Sequence, residues 1–233
     1  MAGHREAILA DRHAPHNFEY ATQAARLAAS GLVAADVGRV ARVLSDESRW
    51  ALTDDSPVAW QLIGGRAKIQ ESILTGTATF VDLTVPVGFK HLMVTGKCSL
   101  SGGAANRVNA RLQFNGDTAA NYDSQYQIAV GNTAFQDGIV AAVSGYVGEL
   151  PNAGGVPAGA GQFEIYIPDY LDTVFPKTCT SKFGGFYGGA KTDWTVGDTT
   201  TRWRSLAAIT SIRIFPASGS FIIGSEFTLW GLA

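Results

Sequence analysis

The sequence predicts a mainly β protein: an antiparallel β-sandwich, jelly-roll-like, preceded by a short helical arm and a small three-stranded β meander. Three observations carry this expectation. From Ala78 onward, apolar and polar residues alternate with a period of two, as they do in a strand with one buried and one wetter face. Glycine is frequent, 27 of 233 residues, against roughly 7% in an average protein. It gathers with Asn, Asp and Pro between the alternating runs, where their backbone preferences favour turns. After residue 75 no stretch has convincing helical periodicity, and many short strands with turns between them favour a sandwich.

Four parts follow in order. Residues 1–30 read as an N-terminal arm. A helical turn or two fits 6–10, Pro15 interrupts it, and the alanine-rich stretch 18–29 suits a helix that stops at Ser30 and Gly31. The same stretch also reads as an extended arm. Residues 31–63 hold three short apolar-rich runs, 40–44, 49–52 and 59–63, separated by SDES and TDDSP. That is a meander too small to hold a core alone, so it is expected to pack on the rest of the chain or on other copies, as an attachment and oligomerisation module. Residues 64–76, GGRAKIQESILTG, read as a linker. Residues 77–233 form the sandwich.

Within the sandwich, Leu112, Phe114, Ile165, Ile212 and Leu229 sit on the apolar parity of their runs and are expected in the core. Cys98 shares parity with Leu92, Val94 and Leu100, so it also points inward. In a chain with no visible export signal, Cys98 and Cys179 are expected as buried thiols rather than a disulfide. About eight strands suit a jelly roll. An immunoglobulin-like sandwich fits less well, because the Cys, Trp, Cys pattern is missing, and a closed barrel stays open.

Composition narrows the function. Net charge is −2 and the basic residues are scattered, unlike the clustered face of a nucleic-acid binder. No apolar run approaches the ~20 residues of a membrane span. Charged residues make up only 16%, against roughly 25% in globular proteins, which suits a surface partly covered by other subunits. Hydrolase, nucleotide-binding and metalloprotease motifs are lacking, so no enzymatic activity, cofactor or metal is expected. His13 and His16 are separated by Ala-Pro in a terminal arm. Asp117, Asn121 and Asp123 do not follow a calcium-loop spacing. Glu164 and Asp169 suggest a carboxylate pair only superficially, since one alternates outward on a strand and the other follows Pro168. The remaining candidates are aromatic. Phe186, Tyr187, Trp194 and Trp203 lie in a glycine- and threonine-rich segment beginning at Phe183. Rings on an exposed loop can stack on a receptor such as a host-surface glycan.

The stretch YATQAARLAASGLVAADVGRVARVLSDESRWALTDDSPVAWQLIG resembles a module of tailed-bacteriophage virion proteins. Its matching residues are Ala25, Arg26, Gly31, Asp36, Val37, Gly38, Ala41, Arg42, Asp46, Trp50, Leu52, Trp60 and Ile63. Arg39 stands where Lys is more usual. Downstream, FKHLMVTG, RLQFNGDTAANYD, FEIYIPDYLDTVFPK, WRSLAAITSIRIF and GSEFTLWGL are similar to phage appendage domains. The resemblance implies a virion structural protein of tail-fibre, tail-spike, baseplate or head-fibre type, assembled in the host cytoplasm. It further implies a homotrimer bound to other virion proteins through its N-terminal region.

Overall fold

The computed structural model describes residues 18–44, 48–64, 66–101, 106–152, 160–187 and 194–233. His13, His16 and the first helical stretch of the expected arm lie outside them. The chain divides into two compact units. One comprises Met1–Lys68, Gly88–Lys90 and Gly231–Ala233; the other comprises Ile69–Val87 and His91–Trp230.

The first unit begins with strand β1 (Phe18–Tyr20), helix α1 (Gln23–Leu27) and a 3-10 turn (Ala34–Asp36). Strands β2 (Val40–Val43), β3 (Arg49–Asp55) and β4 (Val58–Gly64) follow. They form the sheet β1-β2-β3-β4, with β1 parallel to β2 and antiparallel pairing elsewhere. The 18–29 stretch therefore splits into a strand and a short helix. Phe18 and Tyr20 are drawn into the sheet because both rings meet Trp60 edge-on, at 6.1 and 6.0 Å. Thr22 then caps the helix by accepting from the Ala25 N–H at 3.2 Å, which fixes its start.

The residues of the phage-like stretch have concrete structural tasks. The buried Arg26 guanidinium lies 3.7 Å from the centre of the Trp50 ring. Asp36 accepts from the Val33 N–H at 3.1 Å and pairs with Arg39 at 3.3 Å. Gly38 has φ 91 and donates its N–H to Leu52 O at 2.8 Å; a side chain there would be strained. Ala41, Val43, Trp50, Leu62 and Ala67 form the small core. Asp46 falls outside the described residues.

The remaining strands are β5 (Arg66–Ile73), β6 (Val81–Thr84), β7 (His91–Cys98), β8 (Leu100–Ser101), β9 (Arg107–Phe114), β10 (Tyr122–Val130) and β11 (Thr133–Ala142). After them come β12 (Gly145–Pro151), β13 (Gly161–Ile167), β14 (Lys177–Phe186), β15 (Trp194–Trp203), β16 (Ser211–Pro216), β17 (Ser220–Phe221) and β18 (Glu226–Leu232). They build an eight-stranded sheet, β11-β10-β15-β14-β13-β7-β18-β5, a four-stranded sheet, β12-β9-β16-β6, and the short pair β17-β8. The fold is a mainly β, antiparallel β-sandwich, and β12 packs across β14 and β15. It contains more strands than the alternating runs indicate. Leu112, Phe114, Ile165, Ile212 and Leu229 are all buried, as are Cys98 and Cys179, which are free thiols.

Residues 66–73 correct the expected linker: they are strand β5. Its sequence is polar and its alternation weak, but its backbone pairs beside β18, and tertiary pairing outweighs local preference. The Gln70 side chain fastens it further, accepting from the Thr84 N–H at 2.9 Å and donating to Asp82 O at 3.3 Å.

The expected loop beginning at Phe183 is also corrected. Most of it is hairpin β14–β15, with partners running from Phe186↔Trp194 to Lys177↔Trp203. Phe183 is core. A Cβ on Gly148 would come within 2.6 Å of its ring, and a Cβ on Gly197 within 2.6 Å. The two glycines thus leave the space that this aromatic side chain fills, which explains glycine inside strands.

The candidate binding face

Strand β15 shows how one sequence produces two different faces. Thr195, Thr199, Thr201 and Trp203 point inward and are buried, whereas Trp194, Val196, Asp198 and Arg202 are exposed. The inward hydroxyls meet strand β12, which ends its sheet and has backbone groups needing partners. Thr201 Oγ1 donates to Tyr146 O at 2.7 Å and pairs with Ser124 Oγ at 2.8 Å. Ser181 Oγ donates to Val147 O, and Ser124 Oγ accepts from the Tyr146 N–H at 3.0 Å. The inside of this sheet is therefore partly polar, and its hydroxyls are bonded to the backbone of the opposing strand.

On the outward face, strand register arranges side chains in rows. One row runs Thr95, Glu164, Lys182, Asp198, Gln127 and Gln136 across β7, β13, β14, β15, β10 and β11. The Gln127 amide donates to Asp198 at 2.8 Å, and Trp230 Nε1 donates to Thr95 Oγ1 at 3.1 Å. The next row, about 7 Å along the strands, runs Lys97, Gln162, Gly184, Val196, Ala129 and Ala134. Three of these six residues have little or no side chain, so the surface dips there. Two depressions, of about 700 and 650 Å³, occupy the face and share Lys182 and Val196 as lining. Beyond the small-residue row, Phe186 and Trp194 form an edge-to-face pair, 5.4 Å between ring centres, with exposures of 56% and 45%.

Among the aromatic candidates from the sequence, then, Phe186 and Trp194 come together on the surface. Tyr187, the residue just after β14, is half-buried. Trp203 is corrected: it is 2% exposed and packs on Phe114 and Tyr122, so it cannot stack on a receptor. Its neighbours Arg202 and Arg204 point outward, and both bind Asp123.

The oxygen-rich loop has its acceptors occupied by protein donors. Asp117 accepts from Ala119 N, Asn121 Nδ2 and Trp203 Nε1. Asp123 accepts from Arg202, Arg204 and the Ala141 N–H. No group of three or more His, Cys, Asp or Glu side chains is placed to hold a metal among the described residues. Glu164 lies in the polar row, and Asp169 instead donates its backbone N–H to His91 Nδ1 at 3.1 Å. Burial raises both thiols, Cys179 to about 12, leaving them little thiolate near neutrality. No helix among the described residues is long and apolar enough to cross a membrane.

No family model and no curated protein matches the chain. Among solved structures it is similar to an exo-inulinase from Aspergillus awamori, with 9% identity and a TM-score of 0.31, covering 80% of this chain and 35% of that one. It is also similar to a structure of infectious bursal disease virus Gx strain, with 13% identity and a TM-score of 0.14, covering 77% of this chain and 45% of that one. The chain thus spans less than half of either structure, and at these scores neither likeness assigns a function.

Proposed function

We propose that the chain is a non-enzymatic structural component of a bacteriophage virion appendage, a tail fibre or a related part. In this reading the N-terminal unit provides attachment and trimerisation, and the sandwich reaches outward as a host-contacting element. The observation that carries it is the surface of the first unit. Leu27 is 69% and Ile63 48% exposed, and Val33, Val37 and Leu44 are exposed with them. A unit of this size buries little apolar surface of its own, and covering these side chains with sister copies would supply what it lacks. The resemblance of the 20–64 stretch to phage virion modules supports the same reading, because Arg26, Asp36, Gly38 and Trp50 organise this unit.

Light scattering on the purified full chain tests the assembly. The expected mass is three times that of one chain, falling towards one when Leu27→Ser and Ile63→Ser are combined. A parent protein that is monomeric at all concentrations removes the assembly role. Purified particles probed with an antibody to the chain test the location, and particles without it remove the virion reading.

A further inference from the structure

We infer that the outer face of the eight-stranded sheet binds a linear, largely neutral glycan along the two adjoining depressions that hold the Glu164–Lys182–Asp198 row, with the Phe186–Trp194 pair beside them. This rests on the sandwich's geometry alone and holds whether or not the chain belongs to a particle.

The shape selects an extended ligand. The two depressions adjoin at Lys182 and Val196, and together they cross the strands from β7 to β11, a span of about 24 Å at ~4.8 Å per strand step. That is room for several sugar rings end to end. Each of the two volumes falls within the range of ligand sites, roughly 300–1,000 Å³. Gly184 and Ala129 keep the floor low, so a ring can approach the backbone.

The chemistry selects sugar over other extended ligands. A pyranose presents hydroxyls at its edges and C–H groups on its faces. The lining supplies mixed donors and acceptors, Lys182 and Gln127 beside Glu164 and Asp198, and on β14 and β15 the exposed Phe186–Trp194 pair stands two residues beyond Gly184 and Val196 on the same face. Aromatic bodies offer apolar contact area at low entropic cost. Lys97 and Lys182 are set against Glu164, Asp198 and Glu226, so the face has no single-sign field of the kind a nucleic acid requires. Val196 and Phe135 are the large apolar side chains exposed along the depressions, and the Lys182, Asp198, Gln127 and Gln136 row running beside them favours a ligand with hydroxyls over an acyl chain or an amphipathic helix. A peptide added as an extra strand would need a sheet edge, and this is a face.

Affinity electrophoresis of the full chain through gels containing dextran, pullulan, hydroxyethylcellulose or galactomannan tests the inference, with heparin as a charge control. At least one neutral polysaccharide is expected to retard the protein. Gly184→Trp should raise the floor without disturbing the strand, since a Cβ there meets only Thr195 O at 3.4 Å and Val196 at 3.9 Å. It and Phe186→Ala with Trp194→Ala should each weaken retardation by about tenfold or more, with the thermal midpoint unchanged. Retardation by none of the polysaccharides, retardation by heparin alone, or retardation undiminished in both variants overturns the inference. So does a change of oligomeric mass in Gly184→Trp, which would make the face a contact between copies. Glycan binding by a protein absent from particles would end the virion reading and leave this one standing.

Discussion

The Trp203 indole donates through Nε1 to Asp117 Oδ2 at 2.6 Å, joining the end of hairpin β14–β15 to the turn that follows β9. The ring is packed between Phe114 and Tyr122, at 5.6 and 6.5 Å. The Tyr122 hydroxyl itself accepts from the Phe114 N–H at 2.9 Å. Trp203 is thus a structural anchor. Trp203→Ala should cost about 3–5 kcal/mol, read as a lower urea midpoint. A loss below ~1 kcal/mol would contradict its placement in the core.

Asp123 makes stability sensitive to acid. Hydrogen bonds from Arg204 foremost, then from the Ala141 N–H and Arg202, hold its carboxyl well below the usual carboxylate range, although burial opposes them. A carboxyl depressed on folding stabilises the native state above its unfolded pKa of ~3.9. That contribution disappears as pH falls through the folded value. The urea midpoint should therefore fall progressively as pH drops below about 5, with no plateau before the folded value is passed. Asp123→Asn should be less stable at neutral pH and show a shallower acid decline. Parallel pH profiles for parent and variant would mean that another group controls the acid limb.

Thr201 tests the polar interior. Its hydroxyl serves both Tyr146 O and Ser124 Oγ, so Thr201→Val keeps the shape and leaves those groups short of a partner. A cost of about 1–3 kcal/mol is expected. A neutral or stabilising result would show that the opposing strand finds other partners.

The same residues show what was legible in the sequence. Leu112, Phe114, Ile165, Ile212 and Leu229 could be assigned to the core because their strands bury an apolar parity against a polar one. On β15 that rule fails. The inward parity reads Thr195, Thr199, Thr201, Trp203, while the outward parity includes Val196, because the inner hydroxyls satisfy the backbone of β12. The parity of Trp203 was in plain view, but nothing apolar lay beside it to identify the inner side. Strand β5 was obscured differently, as its strand character comes from pairing at the sheet margin. The binding face depends on register across six strands from three separate stretches of chain, and no local pattern encodes that alignment.

Arg26 is the last test, and it separates charge from shape. Its guanidinium lies over Trp50 and reaches within 5.8 Å of the Trp60 ring centre. A flat, delocalised cation can stack there, whereas an ammonium is compact and more strongly hydrated. Arg26→Ala should lower the stability of the first unit by about 1–2 kcal/mol through lost packing and cation–π attraction. Arg26→Lys should recover less than half of that despite keeping the charge. Hydrogen exchange of the Ala41 and Trp50 amides reports on this unit specifically. Full recovery by lysine would mean that charge alone matters. Unchanged exchange in both variants would mean that the stacked cation contributes nothing to holding the N-terminal sheet.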